Sequence, residues 1–315
     1  MPGRLRRLPV LSLLFRALDQ SSLVLGQRVE RTSALGTLGR LWAWQVWRRT
    51  AARVVTIRCA EGSQLLAPSW SRVAALIAGT GLTERDDAIF VLDLLRANDL
   101  FVDVGANIGF FTVLAAGRDA RVRAYEPTPE ASAICEASVA LNGRQALVTV
   151  HPVACGAAAG VTRFTTGLDV SNHIVDDGEP GIDVAISTLD EQLAGERPQL
   201  SMLKIDAEGH DLDVLKGALS AIERLQPVIL VEIWTGGAGP LKLLEGQGYR
   251  PYTYDPATRS LAESAAGRRM AGNMLLVPDG RIEAVRQRVE RAERPELRAP
   301  SVRWRRPASR ETTRG

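Results

Sequence analysis

From residue 100 to residue 233 the chain alternates short apolar runs with stretches of helical period, and this rhythm narrows the fold more than any other feature. Residues 100–104, 122–125, 147–153, 202–206 and 227–233 read as buried strands. Between them, 108–116 and 129–141 read as helices, the second closed by Asn142-Gly143, a common helix C-terminal signal. Leu212, Leu215, Leu219 and Ile222 mark another helix, and Ile89, Leu92 and Leu95 one ahead of the first strand. A short helix over 241–245 separates two closing strands, 249–254 and 273–277. Strands that alternate with helices predict a parallel sheet covered on both faces, an α/β fold. One stretch breaks the rhythm. Residues 157–187 carry strand-like runs at 161–165 and 182–187 around a polar loop with Ser171, Asn172 and His173, which predicts a β-hairpin insertion. Insertions near strand carboxyl ends shape substrate pockets, so these three residues form the candidate substrate loop. Thr188 with Glu191 then forms a capping-box pattern opening a short helix.

The most informative segment is Phe101-Val102-Asp103-Val104-Gly105-Ala106-Asn107-Ile108-Gly109. A buried strand enters a glycine-containing turn and then a helix whose first N–H groups are free for a ligand. Glu126 ends the next strand, where a carboxylate can accept both ribose hydroxyls of a nucleoside. The dinucleotide pattern G-x-G-x-x-G fails, because Asn107 and Phe110 stand where its second and third glycines belong. The segment fits instead the S-adenosylmethionine variant, an acid two residues before G-x-N-x-G. Asp103 suits a ligand with an amino group and a sulfonium, and suits a pyrophosphate poorly.

The second segment is Met202-Leu203-Lys204-Ile205-Asp206-Ala207-Glu208-Gly209-His210-Asp211. A lysine inside a buried strand needs a partner, and Glu208 and Glu232 are the expected ones. Asp206 and Glu232 end neighbouring strands, so Asp206, Glu208, His210 and Glu232 are expected to converge on one side of the pocket.

Taken together these segments resemble the FkbM-type methyltransferases, a Rossmann-like family that uses S-adenosylmethionine. The family's pattern is a VDVGANIG turn, an acidic-Pro pair, a tLD segment, a KID-EG strand end and a VE strand. Here they are Val102 to Gly109, Glu126-Pro127, Thr188-Leu189-Asp190, Lys204 to Gly209 and Val231-Glu232, in order, across about residues 80–280. The resemblance implies a seven-stranded methyltransferase sheet, mostly parallel with an antiparallel closing strand. It also implies S-adenosylmethionine as cofactor, held by Asp103, Gly105, Ala106, Asn107, Gly109, Phe110, Glu126, Pro127 and Asp206. The implied reaction is O-methylation of a hydroxyl on a sugar, glycan, glycolipid or secondary metabolite. A neutral hydroxyl needs a proton acceptor, a role histidine side chains commonly fill, so His210 is the first candidate, with Asp206, Glu208 and Glu232 as the other catalytic candidates. A divalent cation on the carboxylates is the less favoured alternative, and no metal is the default. His151, in a strand, reads as structural. A nicotinamide-dependent oxidoreductase and a non-catalytic nucleoside-binding protein are the rival readings.

Charge divides the chain differently. Residues 1–50 hold nine Arg against Asp19 and Glu30, a net of +7, and residues 281–315 hold eleven Arg against five Glu, a net of +6. The whole chain is only +3, so the middle is −10. An acidic middle without interleaved aromatic and basic residues argues against nucleic acid as partner. A reducing compartment follows from three cysteines, Cys59, Cys135 and Cys155, without metal-pair spacing. The apolar run 8–15 is too short to span a bilayer and lacks a cleavage pattern, so a cytoplasmic location is expected. The expected division is a helical, basic extension over 1–78, the methyltransferase domain over 79–280, and a basic tail over 281–315, a frayed helix followed by disorder. In the extension, Leu8, Leu11, Phe15 and Leu18, and then Leu35, Leu38, Trp42 and Val46, fall at helical spacing. The favoured reading packs these stripes against the core or another subunit; the competing reading is peripheral contact with a membrane.

Overall fold

The computed structural model describes residues 33–50, 54–165, 180–233, 239–264, 272–293, 295, 297 and 299–303. The described chain opens with α1 (Ala34–Thr50), the antiparallel pair β1 (Val54–Arg58) and β2 (Gln64–Pro68), and the helices α2 (Arg72–Thr80) and α3 (Arg85–Leu94). Then come β3 (Leu100–Val104), α4 (Phe110–Gly117), β4 (Arg121–Tyr125), α5 (Pro129–Leu141) and β5 (Val148–His151). The insertion follows as β6 (Ala154–Cys155), β7 (Gly160–Phe164) and β8 (Ile182–Ser187), and the short α6 (Leu189–Gln192) leads back. The second half is β9 (Ser201–Ile205), α7 (Asp211–Lys216), α8 (Leu219–Leu225), β10 (Val228–Ile233), α9 (Gly239–Glu245), β11 (Tyr249–Asp255), β12 (Ser260–Glu263), β13 (Gly272–Pro278), α10 (Ile282–Glu290) and β14 (Ser301–Arg303).

The main sheet has the order β12-β11-β13-β10-β9-β3-β4-β5. The five strands from β5 to β10 are parallel, and β13, β11 and β12 are joined to them by antiparallel pairs. This is the Rossmann-like methyltransferase sheet with β12 added at its edge. β3 and β9 lie in the middle and are fully buried, which is why they read as unbroken apolar runs around a single Asp or Lys. From β3 the chain runs outward through β4 and β5, then returns to β9 and builds the other way. The strand order therefore reverses between β3 and β9, and such a switch point opens a ligand crevice at the carboxyl ends of the strands. Two apolar layers flank the sheet. One holds α3 and α4 with Phe90, Phe101 and Leu114; the other holds α7 and α8 with Leu215 and Ile222.

Several expectations give way to tertiary contacts. The single helix expected over 212–222 is two, because the chain breaks at Gly217, where a Cβ would come within 2.0 Å of the Gly156 carbonyl oxygen. The extension is not helical throughout: residues 54–68 form β1 and β2, with Val55, Ile57, Leu65 and Ala67 buried. The helix expected to fray after Pro278 is instead docked, and residues 301–303 do not belong to a disordered tail. Val285 and Val289 on α10 are fully buried, Arg288 bonds the buried Asp99, and β14 adds to β1. The stripe expected to pack, Leu35, Leu38, Trp42 and Val46, faces outward, and α1 docks instead through Trp44. The second strand of the insertion pairs with its first as expected, and β6 extends it to three strands. Ser171, Asn172 and His173 lie outside the described residues, as does the stripe from Leu8 to Leu18. Among the described residues no helix is long and apolar enough to cross a membrane.

Candidate functional site

The glycine turn sits on the switch point. Gly105, Asn107 and Gly109 all have left-handed backbone, with φ of +77°, +50° and +88°. Gly105 has no alternative: a Cβ there would stand 1.9 Å from the carbonyl oxygen of Asp206 on β9. Gly109 lets α4 approach α5, since a Cβ would meet Cys135 Sγ at 2.7 Å. Asn107 tolerates its conformation because its side-chain Oδ1 accepts from the Ile108 N–H at 2.7 Å. The Gly105 and Ala106 N–H groups donate to the Tyr125 carbonyl at 3.0 and 3.1 Å, which ties the turn to β4.

Glu126 completes the tie. Its Oε2 accepts from the Asn107 N–H at 2.9 Å, and its Oε1 accepts from the Thr128 N–H at 2.9 Å and from the Thr128 hydroxyl. Burial pushes its carboxyl above the ordinary range, while these donors pull it back. Asp103 is more deeply placed, 1% exposed. Its Oδ2 accepts from the Thr112 hydroxyl at 2.6 Å, while its Oδ1 is buried with no hydrogen-bond partner. Burial raises the Asp103 carboxyl, and Lys204 opposes that. An orphaned buried acceptor beside a left-handed turn is what a bound donor group would satisfy. Ala106 and Phe110 are buried and Pro127 is half-buried, so Phe110 offers a ligand no exposed ring.

The second segment places its acids unevenly. Lys204, opposite Asp103 in the β3–β9 register, pairs with Asp206: its Nζ donates to Oδ2 at 2.9 Å. The expected partners Glu208 and Glu232 are displaced in this role, because the Lys204 ammonium also lies 4.8 Å over the Phe111 ring and between Asp103 and Glu84. Burial opposes its charge, yet the carboxylates of Asp206, Glu84 and Asp103 outweigh that and hold its pKa above the usual lysine value. After Asp206 the chain turns through Glu208 (φ +47°) and Gly209 (φ +93°). Asp211 pins this turn by accepting from the Ala207 N–H at 2.9 Å. His210 caps α7 and is half-buried, and its imidazole makes no hydrogen bond among the described residues. Glu232 is half-buried at the end of β10, in register with Asn273 of β13.

That register exposes two residues the sequence reading missed. Asn273 Nδ2 donates to Glu84 Oε2 at 2.7 Å and to Asp87 Oδ2 at 2.9 Å, drawing the start of α3 onto the carboxyl end of the sheet. Burial lifts the Asp87 carboxyl to about 7; the Asn273 amide lowers it and the neighbouring Glu84 raises it again. Glu84 holds left-handed backbone, φ +44°, at the helix N-cap. The only local signal was the acid-rich Thr83-Glu84-Arg85-Asp86-Asp87, which reads equally well as a favourable first helical turn.

Other candidates serve the scaffold. Asp190 accepts from the Ala221 N–H at 2.7 Å and the Ser220 N–H at 3.3 Å, capping α8. Thr188 accepts from the Glu191 N–H at 3.3 Å, as the capping pattern predicts. His151 stacks on Tyr125 at 4.8 Å, and burial lowers its pKa. Cys59, Cys135 and Cys155 are buried free thiols. Among the described residues no group of His, Cys, Asp and Glu is arranged to hold a metal ion.

Residues 103–251 match the model of the methyltransferase FkbM domain. The chain is 32% identical to the hexuronic acid methyltransferase AglP of Haloferax volcanii, across 49% of this chain and 63% of that protein. It is 28% identical to the methyltransferase sdnD of Sordaria araneosa, across 49% of this chain and 75% of that one. A crystal structure of methyltransferase FkbM from Methylobacillus flagellatus aligns with 75% of this chain and 58% of that chain, at 17% identity and a TM-score of 0.41. The chain thus spans under two thirds of the first relative's length.

Proposed function

From the match of residues 103–251 to the methyltransferase FkbM domain model, we propose that the protein is an S-adenosylmethionine-dependent methyltransferase acting on a hydroxyl oxygen. The observation that carries this reading is the tied turn at the switch point: Gly105 against Asp206, Asn107 on Glu126, and an unpartnered Asp103 oxygen beneath it. Gly105 to Gly109 supply backbone close enough for a ligand, and Glu126 Oε2, which accepts from the Asn107 N–H, keeps acceptor capacity for a ribose hydroxyl. The Asp103 carboxylate is the natural partner of a cationic group. Bound there, S-adenosylmethionine supplies an electrophilic methyl group on a sulfonium.

This chain's own residues do the rest. A hydroxyl oxygen must be aligned and must lose its proton as it forms its bond to carbon. Asp206, Glu208 and His210 follow β9 and Glu232 lies near the end of the parallel neighbour β10, with Glu84 and Asp87 bound to Asn273. Asp206 is committed to Lys204, so its role is to hold that cation and the Gly105 contact. His210 and Asp87 are the proton acceptors, His210 because its imidazole is unengaged and Asp87 because its carboxyl titrates near neutrality. Carboxylates around the crevice accept hydrogen bonds from a polyhydroxylated acceptor, and a hexuronic acid methyltransferase among the relatives supports a sugar or glycan.

Calorimetry with S-adenosylmethionine and with a nicotinamide dinucleotide tests the cofactor; binding of the dinucleotide alone would overturn the reading. Methyl transfer to hexuronates, glycolipids and polyketide-type alcohols, read by mass shift, tests the acceptor. Transfer to nitrogen or carbon in place of oxygen would refute the hydroxyl assignment.

A further inference from the structure

β13 runs against its parallel neighbour, so its first residues arrive where β10 ends: Gly272 lies opposite Ile233 and Asn273 opposite Glu232. Side chains alternate along a strand, and Asn273, two residues before the core residue Leu275, shares the sheet face on which α3 packs. Lys204 lies on that face too, opposite the core residue Leu230, with Asp103 opposite Lys204. The half-buried Asn273 amide therefore stands at the carboxyl end of the sheet, against the first turn of α3.

Both hydrogens of that amide are engaged. Nδ2 donates to Glu84 Oε2 at 2.7 Å and to Asp87 Oδ2 at 2.9 Å. A carboxylate can only accept, so the amide has one orientation that satisfies both acids. The second oxygen of Asp87, Oδ1, has no hydrogen-bond partner among the described residues. Serving the helix end does not explain the arrangement. Glu84 makes no capping bond with its side chain, and it holds a left-handed backbone, φ +44°, that is costly for a residue with a Cβ. The charged groups around Asp87 are Glu84 and Asp86 at its own helix end and Lys204 from β9, while Glu232 stands opposite Asn273 on β10. Burial raises the Asp87 carboxyl, and the Asn273 donor bond is the first influence that opposes it. His210 differs: it is half-buried, and no hydrogen bond among the described residues orients its imidazole.

We propose that Asn273 is a positioning residue for methyl transfer, holding Asp87 by Oδ2 so that Oδ1 is left open to take the proton of the acceptor hydroxyl. This rests on the O-methyltransferase reading above. As the acceptor oxygen bonds to the methyl carbon, the electron pair of the broken carbon–sulfur bond stays on sulfur, and the hydroxyl proton passes to Asp87 Oδ1. A proton acceptor works only when it is ionised and held in line with the group it serves, and the Asn273 amide favours both. Its bond stabilises the carboxylate over the acid, and it fixes the rotation of the carboxyl group. Through the same nitrogen it holds Glu84, one of the carboxylates that surround the Lys204 ammonium.

The full chain, with its aspartate carboxyls labelled with carbon-13, tests this by nuclear magnetic resonance; loss of a signal in Asp87→Asn assigns Asp87. In Asn273→Ala, Asp87 should titrate about one pH unit higher than in the wild type. Asn273→Asp keeps the shape and loses the donor, so it should move the titration at least as far. Asn273→Gln keeps the donor and should lie nearest the wild type; it also serves should the other two variants unfold. Calorimetry should find S-adenosylmethionine affinity unchanged in all three. With glucuronic acid, a glycolipid and a polyketide-type alcohol as acceptors, kcat of Asn273→Ala should fall about fivefold at pH 7. The acid limb of its pH–rate profile should move upward with the Asp87 titration. An Asp87 titration that Asn273→Ala leaves in place overturns the proposal, whether or not one of these acceptors is methylated. So does a moved titration with an unmoved pH–rate profile, which would reduce the contact to packing. Failure of the underlying reading looks different: the wild-type chain would bind no S-adenosylmethionine, or would methylate nitrogen or carbon. Either result would withdraw the role of Asp87 as proton acceptor even with its titration dependent on Asn273.

Discussion

Gly105 and Asp206 meet across the reversal of strand order, with room between the Gly105 Cα and the Asp206 carbonyl oxygen for a hydrogen and nothing larger. The contact joins the two halves of the sheet at the point where the proposed cofactor binds. Gly105→Ala should therefore force β3 and β9 apart and impose φ +77° on a residue with a Cβ. The expected outcome is loss of S-adenosylmethionine binding with destabilisation on the order of 1–3 kcal/mol or more, read by calorimetry and denaturant unfolding. Wild-type affinity in this variant would remove the turn from the cofactor site.

Glu126 holds the turn from the other side, through Asn107 and Thr128. Glu126→Ala should weaken cofactor affinity by about 1.5–3 kcal/mol for each hydrogen bond lost to the carboxylate. Glu126→Gln keeps one acceptor oxygen and should fall between the two. Isothermal titration of folded variants decides the matter, and unchanged affinity in Glu126→Ala would be fatal to the ribose assignment.

Asp87 imposes a pH dependence whose sign is fixed. Its carboxyl titrates near 7 in the fold and near 3.9 in an unfolded chain, so the folded state binds the proton more tightly. Its contribution to stability is fully present below about pH 4 and is lost as pH rises through about 7. Asp87→Asn should thus leave stability at pH 4 almost unchanged and raise it at pH 8 by roughly 1–3 kcal/mol, discounted because the side chain is only half-buried. Thermal unfolding across this range checks it; a pH-independent difference would show that folding does not raise the Asp87 pKa.

His210 and Asp87 separate by their effects on turnover. His210→Ala should lower kcat by about 10²–10⁴-fold if the imidazole takes the acceptor's proton, with cofactor affinity retained. If Asp87 takes it, His210→Ala leaves kcat near wild type, and Asp87→Asn removes the acid limb of the pH–rate profile.

Two tryptophans two residues apart should behave as opposites. Trp44→Ala opens a cavity beneath α1 and should cost about 3–5 kcal/mol. Trp42→Ser lies on the exposed stripe and should change stability by less than about 0.5 kcal/mol. Chemical denaturation of both variants checks the assignment of the two faces of α1.

The left-handed turn, its glycines, Asn107 and Glu126 were legible in the sequence because they are local. A strand, a left-handed turn and a helix within ten residues leave a pattern that spacing alone reveals, and Pro129–Leu141 was readable to the residue for the same reason. Partnerships across the sheet were not. Lys204 was read as needing Glu208 or Glu232, yet burial between Asp103, Glu84 and Phe111 leaves Asp206 as its ion-pair partner. Glu84 and Asp87 looked like a helix start until β13 brought Asn273 to them, and no periodicity encodes a contact across more than 180 residues. After 281 the charge read as a frayed helix and then disorder, but Val285, Val289 and the Arg288–Asp99 bond fasten the helix. What the sequence by itself determined was every element whose identity rests on the chain's own period and turns, together with the chemistry those turns can hold. What only the tertiary structure decided was which charges neutralise one another, which face of α1 is covered, and that β14 pairs with β1. Those outcomes depend on burial and on strand register, and both exist only once distant segments have packed.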